Sequence, residues 1–161
     1  MIEIRIPPLG LRQLSDEPFF CTGAQVAAVM RVVDDILGPL LWICSDVSAT
    51  SSRGSPLAGG DVLIGSIVLG ATVDAVTPVE DIDQFLSGVL AGVDHNVTTT
   101  DGIKIAATEE QPRFLNWPVE TEIHMFDTTC IFLYFREGMH AHAFINALQK
   151  QNVKVDYAEV Q

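Results

Sequence analysis

Positive charge is scarce in this chain. Nine Lys and Arg stand against 21 Asp and Glu over 161 residues, a formal net charge of −12 at pH 7. Phosphate backbones and anionic membrane surfaces are held by clustered Lys and Arg, so the deficit argues against both as partners and favours a cationic one. Long apolar runs are lacking as well. One long uncharged run, Val62 to Val73 between Asp61 and Asp74, falls well short of the roughly 20 residues that span a bilayer. It predicts a buried strand. Cysteine is rare: Cys21, Cys44 and Cys130 form no Cys-x-x-Cys pair and are odd in number, which suits free thiols packed as small hydrophobes in a reducing cytoplasm. Met1 to Ile6 alternates apolar and charged residues and meets prolines at 7 and 8, a strand pattern rather than a secretory leader.

What is present suits one folded domain spanning 1–161. Hydrophobic residues make up 48% of the chain and charged ones only 19%, enough apolar material for a core and against disorder. Three segments have helical period. Thr22 is a candidate cap for the first, whose Val26, Val29, Met30 and Val33 share a face before Gly38-Pro39 stops it. Thr77-Pro78-Val79-Glu80 reads as a capping box opening the second, with Val79, Ile82, Phe85, Leu86 and Val89 as its stripe. The third starts near Met139 and carries Ala141, Phe144, Ile145 and Leu148 on one face.

Strand patterns surround these helices. Leu40 to Cys44 and Cys130 to Phe135 are continuous apolar runs, as expected of central strands. Val119 to Met125 alternates, placing Glu120, Glu122 and His124 on a solvent-facing side, and Val153, Val155 and Tyr157 alternate likewise. Ser48 to Gly60 has the turn chemistry of a long surface loop. The expected fold class is α+β, a mixed, mainly antiparallel sheet packed with about three helices.

Catalytic signatures are thin. Gly54 and Gly59 have the spacing of phosphate-loop glycines, but Gly60-Asp61 stands where Lys and Ser or Thr are needed. There is no G-x-S-x-G elbow, and thiols inside apolar runs are poor nucleophiles. His140 and His142 would share a face on a strand but point about 200° apart on a helix, which the surrounding stripe favours. His95 and His124 are isolated in sequence and expected to be exposed. Asp34-Asp35 falls in the last turn of the first helix, where the macrodipole disfavours negative charge; that cost points to a use outside the helix or to nothing more than solvation. Neither enzyme activity, a cofactor nor a metal is expected.

Charge placement is the informative feature. No Lys or Arg lies between Arg53 and Lys104, while Asp61, Asp74, Glu80, Asp81, Asp83, Asp94 and Asp101 do. From Lys104 to Arg136 only Arg113 interrupts Glu109, Glu110, Glu120, Glu122 and Asp127. Such a distribution solubilises a surface, and it also complements a basic protein and speeds its encounter at low salt. The candidate partner-binding residues are Asp74, Glu80, Asp81, Asp83 and Asp94 around the expected second helix, followed by Glu120 and Glu122 on the alternating strand.

Two stretches carry a family resemblance. Leu40-Leu41-Trp42-Ile43-Cys44-Ser45-Asp46-Val47 resembles a Trp-containing strand ending in Asp, and Asp83-Gln84-Phe85-Leu86-Ser87-Gly88-Val89 a helix segment, of bacterial immunity proteins from contact-dependent growth inhibition and related polymorphic toxin systems. The resemblance implies a cytoplasmic, non-enzymatic inhibitor of a cognate toxin C-terminal domain, with a nuclease as the expected toxin. An acidic inhibitor can fill the basic cleft that such a toxin needs for its phosphodiester substrate. Two alternatives stay open: a small ligand-binding domain or enzyme with its site near the 48–60 loop, and an acidic adaptor subunit of a larger complex. The oligomeric state is left open.

Overall fold

In the computed structural model, residues 1–59, 66–97, 110, 112 and 118–160 are described. The chain folds as β1 (Ile2–Ile6), α1 (Pro8–Leu14), α2 (Gly23–Leu37), β2 (Leu40–Thr50), β3 (Ser66–Ala71), α3 (Thr72–Glu80), β4 (Gln84–Asp94), β5 (Val119–Phe126), β6 (Cys130–Phe135), α4 (Gly138–Lys150) and β7 (Asp156–Glu159). The strands form one seven-stranded sheet in the order β3-β2-β4-β5-β6-β1-β7. Every pairing among them is antiparallel. This is an α+β fold, with the sheet wholly rather than mainly antiparallel.

The main core joins one sheet face to the helices. Trp42 and Cys44 of β2, Leu90 of β4, Ile123 of β5 and Leu133 of β6 meet Val26, Val29, Met30 and Val33 of α2 and Ala141, Phe144 and Leu148 of α4. Burying each large side chain stabilises the fold by about 1.5–3 kcal/mol. The opposite face is covered too: Ile43, Ala91, Val93 and Val119 form a second buried cluster there. A sheet buried on both faces gives continuous apolar runs, as in Leu40–Cys44 of β2 and Val89–Val93 of β4.

Helix α2 starts and stops where the sequence predicts. The Thr22 hydroxyl accepts from the Gln25 backbone N–H at 3.3 Å, and the Gln25 side chain accepts in return from the Thr22 N–H at 3.1 Å, a reciprocal cap. Gly38, at φ +82°, ends the helix in a conformation that glycine adopts without strain. Helix α4 also matches the expected third helix. Helix α1 was not anticipated; Pro7 is its cap and Pro8 its first residue, where a missing N–H costs nothing.

Four expectations fail. Thr77-Pro78-Val79-Glu80 closes helix α3 instead of opening one, and the residues expected to continue it form β4. A helix seven residues in length by Pro78 loses a backbone bond there and ends two residues later. Within Val62 to Val73, Ser66–Ala71 is an exposed edge strand rather than a buried one, and Thr72 and Val73 begin α3; residues 60–65 lie outside the described set. The Ser48 to Gly60 loop starts later, because β2 runs through Thr50. The side of β5 bearing Glu122 and His124 is not wet: both side chains are buried beside the second cluster.

Candidate functional site

Three segments distant in sequence meet at one end of the sheet. Cys21 to Gly23 lead into α2, Thr50 to Arg53 leave β2, and Glu80 to Gln84 link α3 to β4. Main-chain bonds sew them together. The Gly23 N–H donates to the Ile82 carbonyl at 3.0 Å, the Phe85 N–H to the Cys21 carbonyl at 2.9 Å, and the Asp83 N–H to the Thr50 carbonyl at 2.8 Å. Contact at Gly23 is so close that a Cβ there would stand 1.9 Å from the Val79 carbonyl oxygen. Only glycine fits.

Side chains complete the junction. The Asp83 carboxylate accepts from the Ser52 N–H at 2.5 Å and the Ser52 hydroxyl at 3.0 Å. The Ser51 hydroxyl donates to the Asp81 carbonyl, and Ser55, buried, donates to the Pro78 carbonyl at 2.6 Å. The residues after β2 are therefore pinned to α3 rather than free in solvent. Above this floor lies a cleft of about 540 Å³, lined by Glu17, Phe19, Ser52, Arg53, Glu80 and Asp83 among others.

Electrostatics give the cleft a sign. Among the described residues that line it, three are carboxylates, Glu17, Glu80 and Asp83, against the single guanidinium of Arg53. Glu80 closes α3 and Asp81 is its C-cap, so the negative end of the helix dipole adds to theirs. The placement expected from sequence, in the favourable first turns of a helix, is thus reversed. Two arginines offset the repulsion: Arg31 lies 2.5 Å from Glu80 and Arg53 3.9 Å from Asp81. Each of these exposed pairs contributes about 1 kcal/mol or less.

Of the predicted contact residues, Glu80, Asp81 and Asp83 come together here. The others do not. Asp74 is exposed in the first turn of α3, at the opposite end of that helix. Asp94 ends β4, on the order of 30 Å along the strand from Asp83. Its carboxylate is held below the usual range by the Asn96 backbone and side-chain N–H groups, a local turn contact. Glu120 lies 3.6 Å from Arg136, and Glu122 is wholly buried, so the two form no exposed patch. Glu17, Phe19, Arg31 and Arg53 were missed; their only signal is nearness to the Thr22 cap, to one face of α2 and to the turn-rich stretch after β2.

Asp34 has the use its awkward position suggested. Its Oδ1 accepts from the Leu40 N–H at 3.3 Å and from the Thr72 hydroxyl at 2.5 Å, and Thr72 accepts from the Trp42 indole N–H at 2.8 Å. This chain ties α2, β2 and α3 together at the end away from the cleft.

Nucleophilic chemistry finds little to work with. Cys21, Cys44 and Cys130 are free and buried. Burial pushes the Cys21 thiol up to about 12 and Cys44 to about 11, away from the thiolate needed for attack. Among the described residues no group of three His, Cys, Asp or Glu could hold a metal ion, and no helix is long and apolar enough to cross a membrane. His140 and His142 sit on α4, as expected, and His95 is exposed, whereas His124 is buried against Glu122. The segment likened to a helix of immunity proteins, Asp83 to Val89, is mostly strand β4. Compared with protein-family models, with curated proteins and with solved structures, the chain finds no match in any of the three.

Proposed function

We propose that the chain is a non-enzymatic cytoplasmic inhibitor of the bacterial immunity class, which receives a basic surface of a cognate toxin domain, a nuclease, at its acidic cleft. One observation carries the reading: Glu17, Glu80 and Asp83 line a recess at the negative end of α3, with Asp81 beside it, in a chain of net charge −12. All these contributions have one sign. A toxin that cleaves nucleic acid needs the opposite sign around its active site, and complementary fields speed association and enforce partner choice. The immunity assignment itself draws on the resemblance of Leu40 to Val47 and on this complementarity.

The test is co-expression of this chain with the C-terminal domain encoded by the neighbouring reading frame, scored by cell survival. Survival should require this chain, and purified complex should weaken as salt rises. Glu80→Ala with Asp81→Ala should lower affinity by roughly tenfold, chiefly through the association rate. Survival independent of this chain, or an affinity indifferent to the double variant, rejects the proposal. Asp83 is unsuited to this test, because its carboxylate also anchors Ser52.

A second reading has its own support. The cleft volume of about 540 Å³ falls within the roughly 300–1,000 Å³ of small-molecule sites, and Thr50 at the end of β2 lines it with Ser52 and Arg53 from the stretch that follows. A small cationic ligand would then raise the melting temperature with no protein partner present.

A further inference from the structure

An aromatic ring stands on the wall of the acidic cleft. Phe19 is 57% exposed and lines the cleft with Glu17, Glu80 and Asp83. Its neighbour Phe20 packs against the main core instead. The exposure of Phe19 does not come from a loose chain. The buried Gln25 amide donates to the Phe19 carbonyl at 3.3 Å and to the Ser15 carbonyl at 3.4 Å. The Gln84 amide donates to the Phe20 carbonyl at 3.2 Å, and the Phe85 N–H to that of Cys21 at 2.9 Å. Aromatic side chains fixed in the walls of pockets are where binding energy concentrates.

The fold already seats two guanidinium groups on this part of the surface. The Arg12 Cζ lies 5.0 Å from the Phe20 ring centroid, and Arg31 pairs with Glu80. Among the described residues no cation lies over Phe19, and no salt bridge engages Glu17 or Asp83. Arg53, the one cationic side chain in the described lining, is drawn to Asp81 at 3.9 Å. Carboxylates attract any cation, but a ring face discriminates. A guanidinium is planar and weakly hydrated, so it stacks on the ring while its N–H fork meets a carboxylate. A lysine ammonium is a compact charge that holds its water more strongly. We propose that the cleft is a socket for one arginine side chain of the partner, stacked on Phe19 and paired with the cleft carboxylates. The socket rests on the preceding reading, that the cleft receives a basic surface, and names the side chain that anchors it.

The pinned backbone has a kinetic consequence. Because the segment carrying Phe19 is ordered before the partner arrives, little conformational freedom is lost on binding. Exposed carboxylates such as Glu80 act mainly on the association rate, whereas a contact buried in the complex acts on the dissociation rate. Phe19→Leu should therefore speed dissociation of the toxin complex and leave its salt dependence unchanged.

Three end-blocked tripeptides, Gly-Arg-Gly, Gly-Lys-Gly and Gly-citrulline-Gly, titrated into the full chain and followed by its amide NMR shifts, test the socket without the toxin. With the arginine peptide, saturable shifts should concentrate at Glu17 to Gly23, Ser52, Arg53 and Glu80 to Gln84, with a Kd on the order of millimolar. The lysine peptide should bind about two- to fivefold more weakly. Citrulline keeps the shape without the charge and should not bind. Phe19→Leu should remove the preference for arginine over lysine, and Phe19→Tyr, which keeps a ring, should retain it. No localised shift with the arginine peptide, equal shifts from all three, or a Phe19→Leu chain that still prefers arginine overturns the proposal. The two readings fail separately. Survival that requires this chain, together with failed peptides, rejects the socket and keeps the inhibitor; the reverse pair of results keeps the socket and rejects the inhibitor.

Discussion

The imidazole Nε2 of His124 lies 2.8 Å from Glu122 Oε2, and both side chains are buried on the sheet face turned away from the helices. The ring of Tyr134 stands edge-on to His124 with centroids 5.2 Å apart, and its hydroxyl donates to Glu3 at 2.8 Å. Among the described residues Glu122 Oε1 has no hydrogen-bond partner. A carboxylate in such surroundings is tolerated because the imidazole is there. His124→Leu takes away that hydrogen-bond partner and should accordingly cost about 1–3 kcal/mol, the penalty for leaving a buried polar group unsatisfied. Replacing both, Glu122→Leu with His124→Leu, should cost less than the single change, because no unsatisfied polar partner remains. Urea unfolding of the three chains measures this; additive losses would show that the pair is not coupled.

Alkaline pH should loosen the fold. The thiols of Cys21 and Cys44 ionise at about 12 and 11 in the folded chain, because burial penalises the thiolate, against an ordinary value of 9.0. Burial, followed by the hydrogen bond to Glu3, also raises the Tyr134 hydroxyl. Above pH 9 the unfolded chain releases thiol protons that the folded chain retains, so it gains relative stability. Folded-state stability is thus fully present below pH 9 and declines as pH climbs through 11 to 12. Urea midpoints at pH 8 and about 10.5 should differ in the wild type and differ less in Cys21→Ala with Cys44→Ala. An equal pH drop in both chains would remove the thiols from the account.

How far the sequence foretold this structure depends on the kind of signal. Helices α2 and α4 were legible because their stripes repeat at 3.6-residue spacing and, for α2, Thr22 and Gly38 mark both ends. The α3–β4 region was misread for a physical reason. Thr-Pro-Val-Glu satisfies the rule for a helix start, and a largely apolar stretch such as Phe85 to Val93 fits a buried helix or a buried strand equally well. Tertiary context decided: β4 lies between β2 and β5 and is covered on both faces. The alternation of β5 was read correctly as a strand, yet alternation only says which residues share a face. The acidic character of the site was legible, but the cleft was not, since its walls come from segments as far apart in the sequence as Glu17 and Gln84 that hydrogen bonding brings together.

The relay from Trp42 through Thr72 to Asp34 should be sensitive at its middle member. Thr72→Val removes the only hydroxyl, leaving the buried Trp42 indole N–H without its acceptor. An unsatisfied buried donor costs about 1–3 kcal/mol. Thr72→Ser keeps the hydroxyl and should cost under about 1 kcal/mol. Unfolding followed by Trp42 fluorescence should separate the two variants, and equal losses would reduce Thr72 to a packing residue.

Gly23→Ala offers the sharpest check on how the cleft is assembled. At the first position of a helix, exchanging Gly for Ala should by propensity alone be favourable, by up to about 1 kcal/mol. Here the added Cβ would stand 1.9 Å from the Val79 carbonyl oxygen and 2.7 Å from that of Ile82. Both are backbone atoms, so no side chain can rotate away, and α2 must part from the end of α3. That separation breaks the Gly23–Ile82 bond and moves Glu80 and Asp83 relative to Glu17. The sign of the effect therefore reverses, to a loss of several kcal/mol, in the exceptional range for one substitution. Gly38→Ala supplies the contrast: nothing lies within 4 Å of a Cβ there, but φ is +82°. With ψ at −173°, this is a backbone region open almost only to glycine, and the loss should stay near the roughly 1–3 kcal/mol of that strain. Unfolding free energies that rank Gly38→Ala as the worse of the two would mean that the α2–α3 contact is looser than its geometry implies.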